Sequence, residues 1–133
     1  MLTYYHGTDS SAAKSIMAEI KVNTSNRKHK AELGDGFYVG SSCWRASSWA
    51  WHKANIDYKV VRFLIKEIPF FKLHVIVMDR AEVKKIWNNK QRMLGCDAVW
   101  GPIVGGHIRD TLQIKFESPR GINFIDKTNK VIL

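Results

Sequence analysis

The sequence predicts an α+β fold, a mostly antiparallel sheet with flanking helices. Two observations carry this. Short segments rich in Val, Ile and Phe mix with helical patterns, but without the regular strand–helix–strand repeat of a doubly wound sheet. Glycines punctuate the chain where strands must turn, at Gly34/Gly36, Gly101-Pro102 and Gly105-Gly106. The 133 residues fit one domain spanning residues 1–133. A domain of that size buries roughly two thirds of the surface its unfolded chain exposes.

Taken in order, Tyr4-Tyr5 reads as the end of a short first strand. Asp9 or Ser10 then caps a helix over residues 11–20, with Ile16, Met17 and Ile20 on one face. Residues 21–33 are polar and basic and read as a loop. Gly34 and Gly36 bracket a tight turn into the strand Phe37-Tyr38-Val39. Ser41 or Ser42 caps a helix over residues 44–54. Residues 59–65 and 73–78 read as strands, and Asp79 caps a helix over 80–93 that Gly95 stops. Ala98-Val99-Trp100 and residues 111–116 are further strands, and residues 130–133 form a short last one. No internal repeat or low-complexity tract interrupts this order.

Composition narrows the function classes. The chain carries 21 Lys and Arg against 12 Asp and Glu, a net charge of +9. Such a surface attracts anions: nucleic acid, an acidic protein or a phosphate-bearing cofactor. Local basic density falls at Arg27-Lys28-His29-Lys30 and Lys84-Lys85. Arg27, Lys28, Lys30 and Arg45 are candidates for phosphate contacts. Cys43 and Cys96 are the only cysteines and read as two reduced thiols, too few for a disulfide framework or a zinc site. The five histidines lack paired ligand spacing, so no metal is expected. No run approaches the ~20 apolar residues that span a bilayer. Met1-Leu2-Thr3-Tyr4-Tyr5 shows no signal-peptide pattern, which predicts a cytoplasmic protein without membrane partners.

Four elements can carry chemistry. His6-Gly7-Thr8 sits where the first strand is expected to end: the histidine can bond a ribose hydroxyl, the glycine opens the backbone to an amide, and Thr8 adds a hydroxyl. Gly34-x-Gly36-Phe37-Tyr38 allows close backbone approach and offers Tyr38 as a stacking ring. It is not the G-x-G-x-x-G fingerprint of a dinucleotide fold. Trp49, on the following helix, can face the same ligand. The late strand, read from Leu112 to Ser118, puts Gln113, Lys115 and Glu117 on one polar face by its period of two. Each element also has an ordinary structural reading: a turn, a hairpin, a core tryptophan, an amphipathic strand.

Their order resembles the ADP-ribosyltransferase superfamily, in its histidine–tyrosine–glutamate branch. It is most similar to small bacterial domains with an early His-Gly, a Gly-x-Gly-Phe-Tyr followed by Ala and Trp-Ala, and a late Gly-Pro before a Gln-x-x-Phe strand. Here these are His6-Gly7, Gly34-Asp35-Gly36-Phe37-Tyr38, Ala46, Trp49-Ala50, Gly101-Pro102-Ile103 and Gln113-Ile114-Lys115-Phe116. The resemblance implies split, mostly antiparallel sheets and NAD as co-substrate. It implies that His6 holds the NAD ribose, Gly7 the carboxamide, and that Tyr38 stacks on nicotinamide with Trp49 beside it. Thr8, Gly36 and Phe37 complete the expected binding set, and His6, Tyr38 and Gln113 the catalytic one. Gln113 stands where the family has its catalytic glutamate. A neutral amide keeps a hydrogen bond but loses the charge that steadies the developing cation, at a cost of ~3 kcal/mol. Among the remaining acids, Glu117 lies some 13 Å along the strand from Gln113 and fits a surface residue; Glu32, Asp35 and Asp110 are weaker substitutes.

The expected function is a mono-ADP-ribosyltransferase acting on a nucleic acid or protein, of the kind used as an intracellular toxin or defence effector, with an acidic neutralising protein as a partner. The alternatives are a non-catalytic NAD or ADP-ribose binding module, and a basic nucleic-acid-binding domain without NAD chemistry.

Overall fold

In the computed structural model, residues 1–22, 31–105 and 111–133 are described. Arg27, Lys28, His29, Lys30, Gly106, His107 and Asp110 lie outside them. The sheet is organised on the first strand, β1 (Leu2–Asp9), which pairs along its whole length with β3 (Tyr58–Ile65), from Leu2↔Ile65 to Asp9↔Tyr58. β3 supplies stiff, buried Val60, Val61, Phe63 and Ile65, residues that suit a pleated surface. This corrects the first boundary: the strand does not end at Tyr5, because its eight-residue partner continues the ladder. His6-Gly7-Thr8 therefore lies inside β1. The chain turns only at Asp9, whose carboxylate accepts from the Ala12 N–H at 2.7 Å and caps α1 (Ser10–Ala18).

The remaining elements are β2 (Phe37–Gly40), α2 (Cys43–Ala54) with a 3-10 turn over Asn55–Asp57, α3 (Glu67–Phe71), β4 (Val75–Val77), α4 (Arg80–Asn88), β5 (Ala98–Pro102), β6 (Leu112–Phe116), α5 (Pro119–Lys127) and β7 (Asn129–Ile132). One seven-stranded sheet runs β4-β5-β6-β2-β1-β3-β7, antiparallel except for β4–β5. The α+β, mostly antiparallel reading thus describes the chain. Within the sheet, β1 and β2 share a single pair, Tyr5↔Gly40, so a thin seam separates β4-β5-β6-β2 from β1-β3-β7.

Several boundaries differ from expectation. α4 stops at Asn88 rather than 93, because Asn88-Asn89 are weak helix formers and Lys90 turns the chain at φ 52°. β4 is shorter than 73–78, since His74 is diverted into hydrogen bonds with Asp97. The late strand ends at Phe116 and not at Ser118: the Ser118 hydroxyl accepts from the Gly121 N–H at 2.9 Å and, with Pro119 in the first turn, starts α5. Neither α5 nor α3 was expected from the sequence.

Strand alternation divides the core. On one face Phe37, Val39, Val61, Phe63, Ile114 and Phe116 pack with Ala13 and Ile16 of α1, Phe70 of α3 and Ile125 of α5. On the other, Val99 and Tyr38 join Val83 of α4, and α2 lies over β1 and β3. Gly7 sets how close α2 comes. A Cβ there would sit 2.1 Å from the Ala46 carbonyl oxygen. Gly7→Ala must therefore push the helix backbone away, and it is expected to cost about 1–3 kcal/mol of stability, read from urea unfolding. An unchanged midpoint would show that α2 shifts freely.

Candidate functional site

The three proposed catalytic residues lie on neighbouring strands: Gln113 on β6, Tyr38 on β2 and His6 on β1. Register aligns Arg62, Tyr5, Gly40, Gln113 and Gly101 in one row across five strands. Tyr38 and Gln113 share the face of that row, whereas the His6 ring stacks on Phe37 of the opposite face, with centroids 4.5 Å apart. Strands β1 and β2 no longer pair beyond Tyr5↔Gly40, and the His6 ring fills the gap: its Nδ1 lies 2.6 Å from the Tyr38 carbonyl oxygen. A carbonyl only accepts, so Nδ1 carries the proton there. In the neutral ring Nε2 is then an acceptor.

Gln113 is nearly buried. Its Nε2 donates to Glu32 Oε1 at 3.0 Å and to the Pro102 carbonyl at 3.1 Å. Among the described residues nothing donates to its Oε1. Glu32, read from sequence as a weak substitute acid, is the residue that Gln113 touches. Its carboxylate also accepts from the Val104 N–H at 2.8 Å and the Gly105 N–H at 2.7 Å, while Arg45 Nη2 donates to the Gly105 carbonyl. A charged group thus stands one hydrogen bond behind the amide. No spacing signal links Glu32 to a residue 81 positions away.

The glycine element is occupied by the chain itself. The Tyr38 hydroxyl donates to the Gly34 carbonyl at 2.5 Å and accepts from the Leu33 N–H at 3.1 Å. Asp35 is held by Arg92, whose Nε and Nη2 both reach its carboxylate at 2.9 Å. A Cβ on Gly36 would lie 2.4 Å from Lys115 Cδ, so this glycine makes room for a lysine stem. Phe37 is a core residue and half-buried Thr8 pairs with Lys59. Trp49 is 57% exposed, with the Lys53 ammonium 5.0 Å from its ring.

The polar face of the late strand needs correction. Lys115 and Glu117 are an ion pair with side chains 0% and 1% exposed, not surface residues. Glu117 also accepts from the Leu94, Gly95 and Cys96 N–H groups. Its burial opposes ionisation, but the Lys115 ammonium and these N–H donors together hold its carboxyl below the usual range. Glu117 thus pins the loop before β5 and stands apart from Gln113. Burial, helped by the Glu117 charge, pushes the Cys96 thiol up to about 11, so Cys96 is no nucleophile at neutral pH.

A hollow of about 480 Å³ lies beside α5, lined by Ile20, Val22, Pro119, Ile122 and Asp126; none of His6, Tyr38 or Gln113 reaches it. Among the described residues no cluster of His, Cys, Asp or Glu could hold a metal ion, and no helix is long and apolar enough to cross a membrane. No protein-family model matches the chain, and no curated protein matches it either.

Proposed function

We propose that this chain binds NAD along the β6-β2-β1 seam, cleaves its nicotinamide–ribose bond and transfers ADP-ribose to a macromolecular acceptor. The observation that carries this reading is how Gln113 is held: its Nε2 donates to Glu32 and the Pro102 carbonyl, which leaves Oε1 as the acceptor at the position where the resemblance to ADP-ribosyltransferases expects the ribose-binding group. In the reaction the C1′–N bond breaks and nicotinamide leaves neutral. Positive charge spreads over the ribose, and an acceptor nucleophile then bonds C1′ and gives up its proton. Gln113 would accept from a ribose hydroxyl. The Glu32 carboxylate behind it would supply negative charge through the shared amide, in partial replacement of the missing glutamate.

The test is NAD labelled in its adenosine part, incubated with the protein and separate protein, DNA and RNA fractions, together with calorimetric NAD binding. Wild type is expected to bind NAD saturably and to release nicotinamide as label enters one fraction. Gln113→Ala is expected to weaken binding about fivefold, the worth of one neutral hydrogen bond. Folded wild type that neither binds NAD nor releases nicotinamide ends the reading. A second reading, a module that holds NAD or ADP-ribose without turnover, is favoured by one fact: the Glu32 charge is already engaged by the Val104 and Gly105 N–H groups. NAD binding without nicotinamide release in any fraction would establish it.

A further inference from the structure

Helix α2 displays three tryptophans to solvent. Trp44, Trp49 and Trp51 are 68%, 57% and 49% exposed, and all lie within twelve residues of one helix. A soluble surface seldom shows large aromatic side chains together without a partner for them. The helix buries Ala50 and lays Ala46 against Gly7. At about 100° per residue, Trp51 and Trp44 flank one side of that buried stripe and Trp49 the other. Arg45, Ser48 and His52 fall on the arc between them. The rings are presented as separate platforms. Among the described residues Trp44 stacks on no other ring, Trp49 has the Lys53 ammonium over it, and Trp51 meets Tyr58 edge-on at 5.7 Å.

The charge of this surface is mainly positive. Residues 43–59 contain Arg45, Lys53 and Lys59 with a single carboxylate, Asp57, which is engaged by the Ser10 hydroxyl. A second, independent feature points to an anion. Arg62 lies on the strand beneath α2, on the same sheet face, two pleats from Tyr58. Its Nε is buried and has no hydrogen-bond partner among the described residues. Desolvating a cation without compensation is costly, so an acceptor from outside the chain is the expected complement.

We propose that the α2 face binds single-stranded nucleic acid, with bases stacked on Trp44, Trp49 and Trp51 and backbone phosphates met by Arg62 and Lys53. Flat, exposed rings beside cations suit that ligand: every base offers a π face, and each nucleotide brings one phosphate. A duplex keeps its bases stacked inside and can use the cations alone. The inference does not depend on NAD chemistry, and its test is run without NAD.

The experiment measures fluorescence anisotropy of a labelled, mixed-sequence single strand of roughly a dozen nucleotides, within the usual site size for such surfaces. Its competitors are the matching duplex, polyglutamate and vesicles of anionic lipid. Single strands are expected to bind more tightly than the duplex. Trp44→Ala and Trp49→Ala, at exposed positions with little to lose in folding, are each expected to weaken single-strand binding about tenfold and duplex binding hardly at all. Arg62→Gln is expected to weaken both and to reduce the slope of log affinity against log salt by about 0.7. Circular dichroism confirms that each variant is folded. Single-strand affinity unchanged in both tryptophan variants overturns the proposal, as does displacement by polyglutamate or by vesicles at equal charge, which would reassign the face to an acidic protein or a membrane surface.

Discussion

Glu117→Gln is expected to lower the free energy of unfolding by about 4 kcal/mol at neutral pH, measured by urea denaturation. The reason is what the substitution leaves behind. Lys115 is 0% exposed and the Glu117 carboxylate is its ion-pair partner. With glutamine in place, an ammonium stays buried beside a neutral amide, and the Leu94, Gly95 and Cys96 N–H groups compete for one carbonyl oxygen instead of a carboxylate. Adding Lys115→Met removes the stranded charge, so the double variant is expected to be more stable than Glu117→Gln alone. A double variant that is less stable would mean that the pair is not the cause. The pH dependence follows from the folded-state pKa of Glu117, which lies below its unfolded value. Its contribution is complete above the unfolded pKa of about 4.3 and is lost as pH falls through the lower folded one. Wild type and Glu117→Gln should therefore converge in stability only as pH falls through that lower folded value. Asp97, held down first by the Ser118 hydroxyl, and Asp126, held down first by Lys130, add acid lability of the same sign. They are present in both proteins, so the difference between the curves isolates Glu117.

Periodicity and caps made much of the fold legible. Asp79 and Ser42 cap the helices they were expected to cap, and the alternation of β3 and β6 gave strands where strands form. What local pattern could not carry was long-range. β1 runs past Tyr5 because β3, some fifty residues on, continues its ladder. Lys115 and Glu117 looked like a solvated face because polar residues at period two usually are one; here both faces of β6 are covered, and the polar side is neutralised as an ion pair. The glycines of the candidate site were legible as places of close approach, but not what approaches. Ala46 fills the space at Gly7 and the Lys115 stem that at Gly36. The pairing of Gln113 with Glu32 had no local signature at all, yet it bears directly on how position 113 can act.

That pairing makes the substitution closest to the family pattern the wrong one for this chain in isolation. Gln113→Glu would place a second carboxylate 3.0 Å from Glu32 Oε1 and against the Pro102 carbonyl, in a site only 5% exposed. The amide donor that joins these two acceptors is gone, and like charges meet with little water between them. The introduced group can escape by taking up a proton, which bounds the damage: holding a carboxyl of ordinary pKa 4.3 neutral at pH 7 costs about 4 kcal/mol. A loss of roughly 3 kcal/mol is therefore expected at pH 7, read from the urea midpoint. The sign of its pH dependence is opposite to that at Glu117. The introduced carboxyl has a folded pKa above its unfolded one, so the defect is small below pH 4 and grows as pH rises toward 7. Exchanging both partners, Glu32→Gln with Gln113→Glu, restores one donor and one carboxylate across the same contact, and it should recover part of the stability lost, the Pro102 carbonyl still lacking its donor. It would also put the charge at position 113 itself. If NAD is cleaved at this seam, the exchanged protein is expected to release nicotinamide faster than wild type, by up to about a hundredfold. Restored stability with slower release would mean that the carboxylate acts from position 32, and that the chain had moved its charged group to the other side of the hydrogen bond.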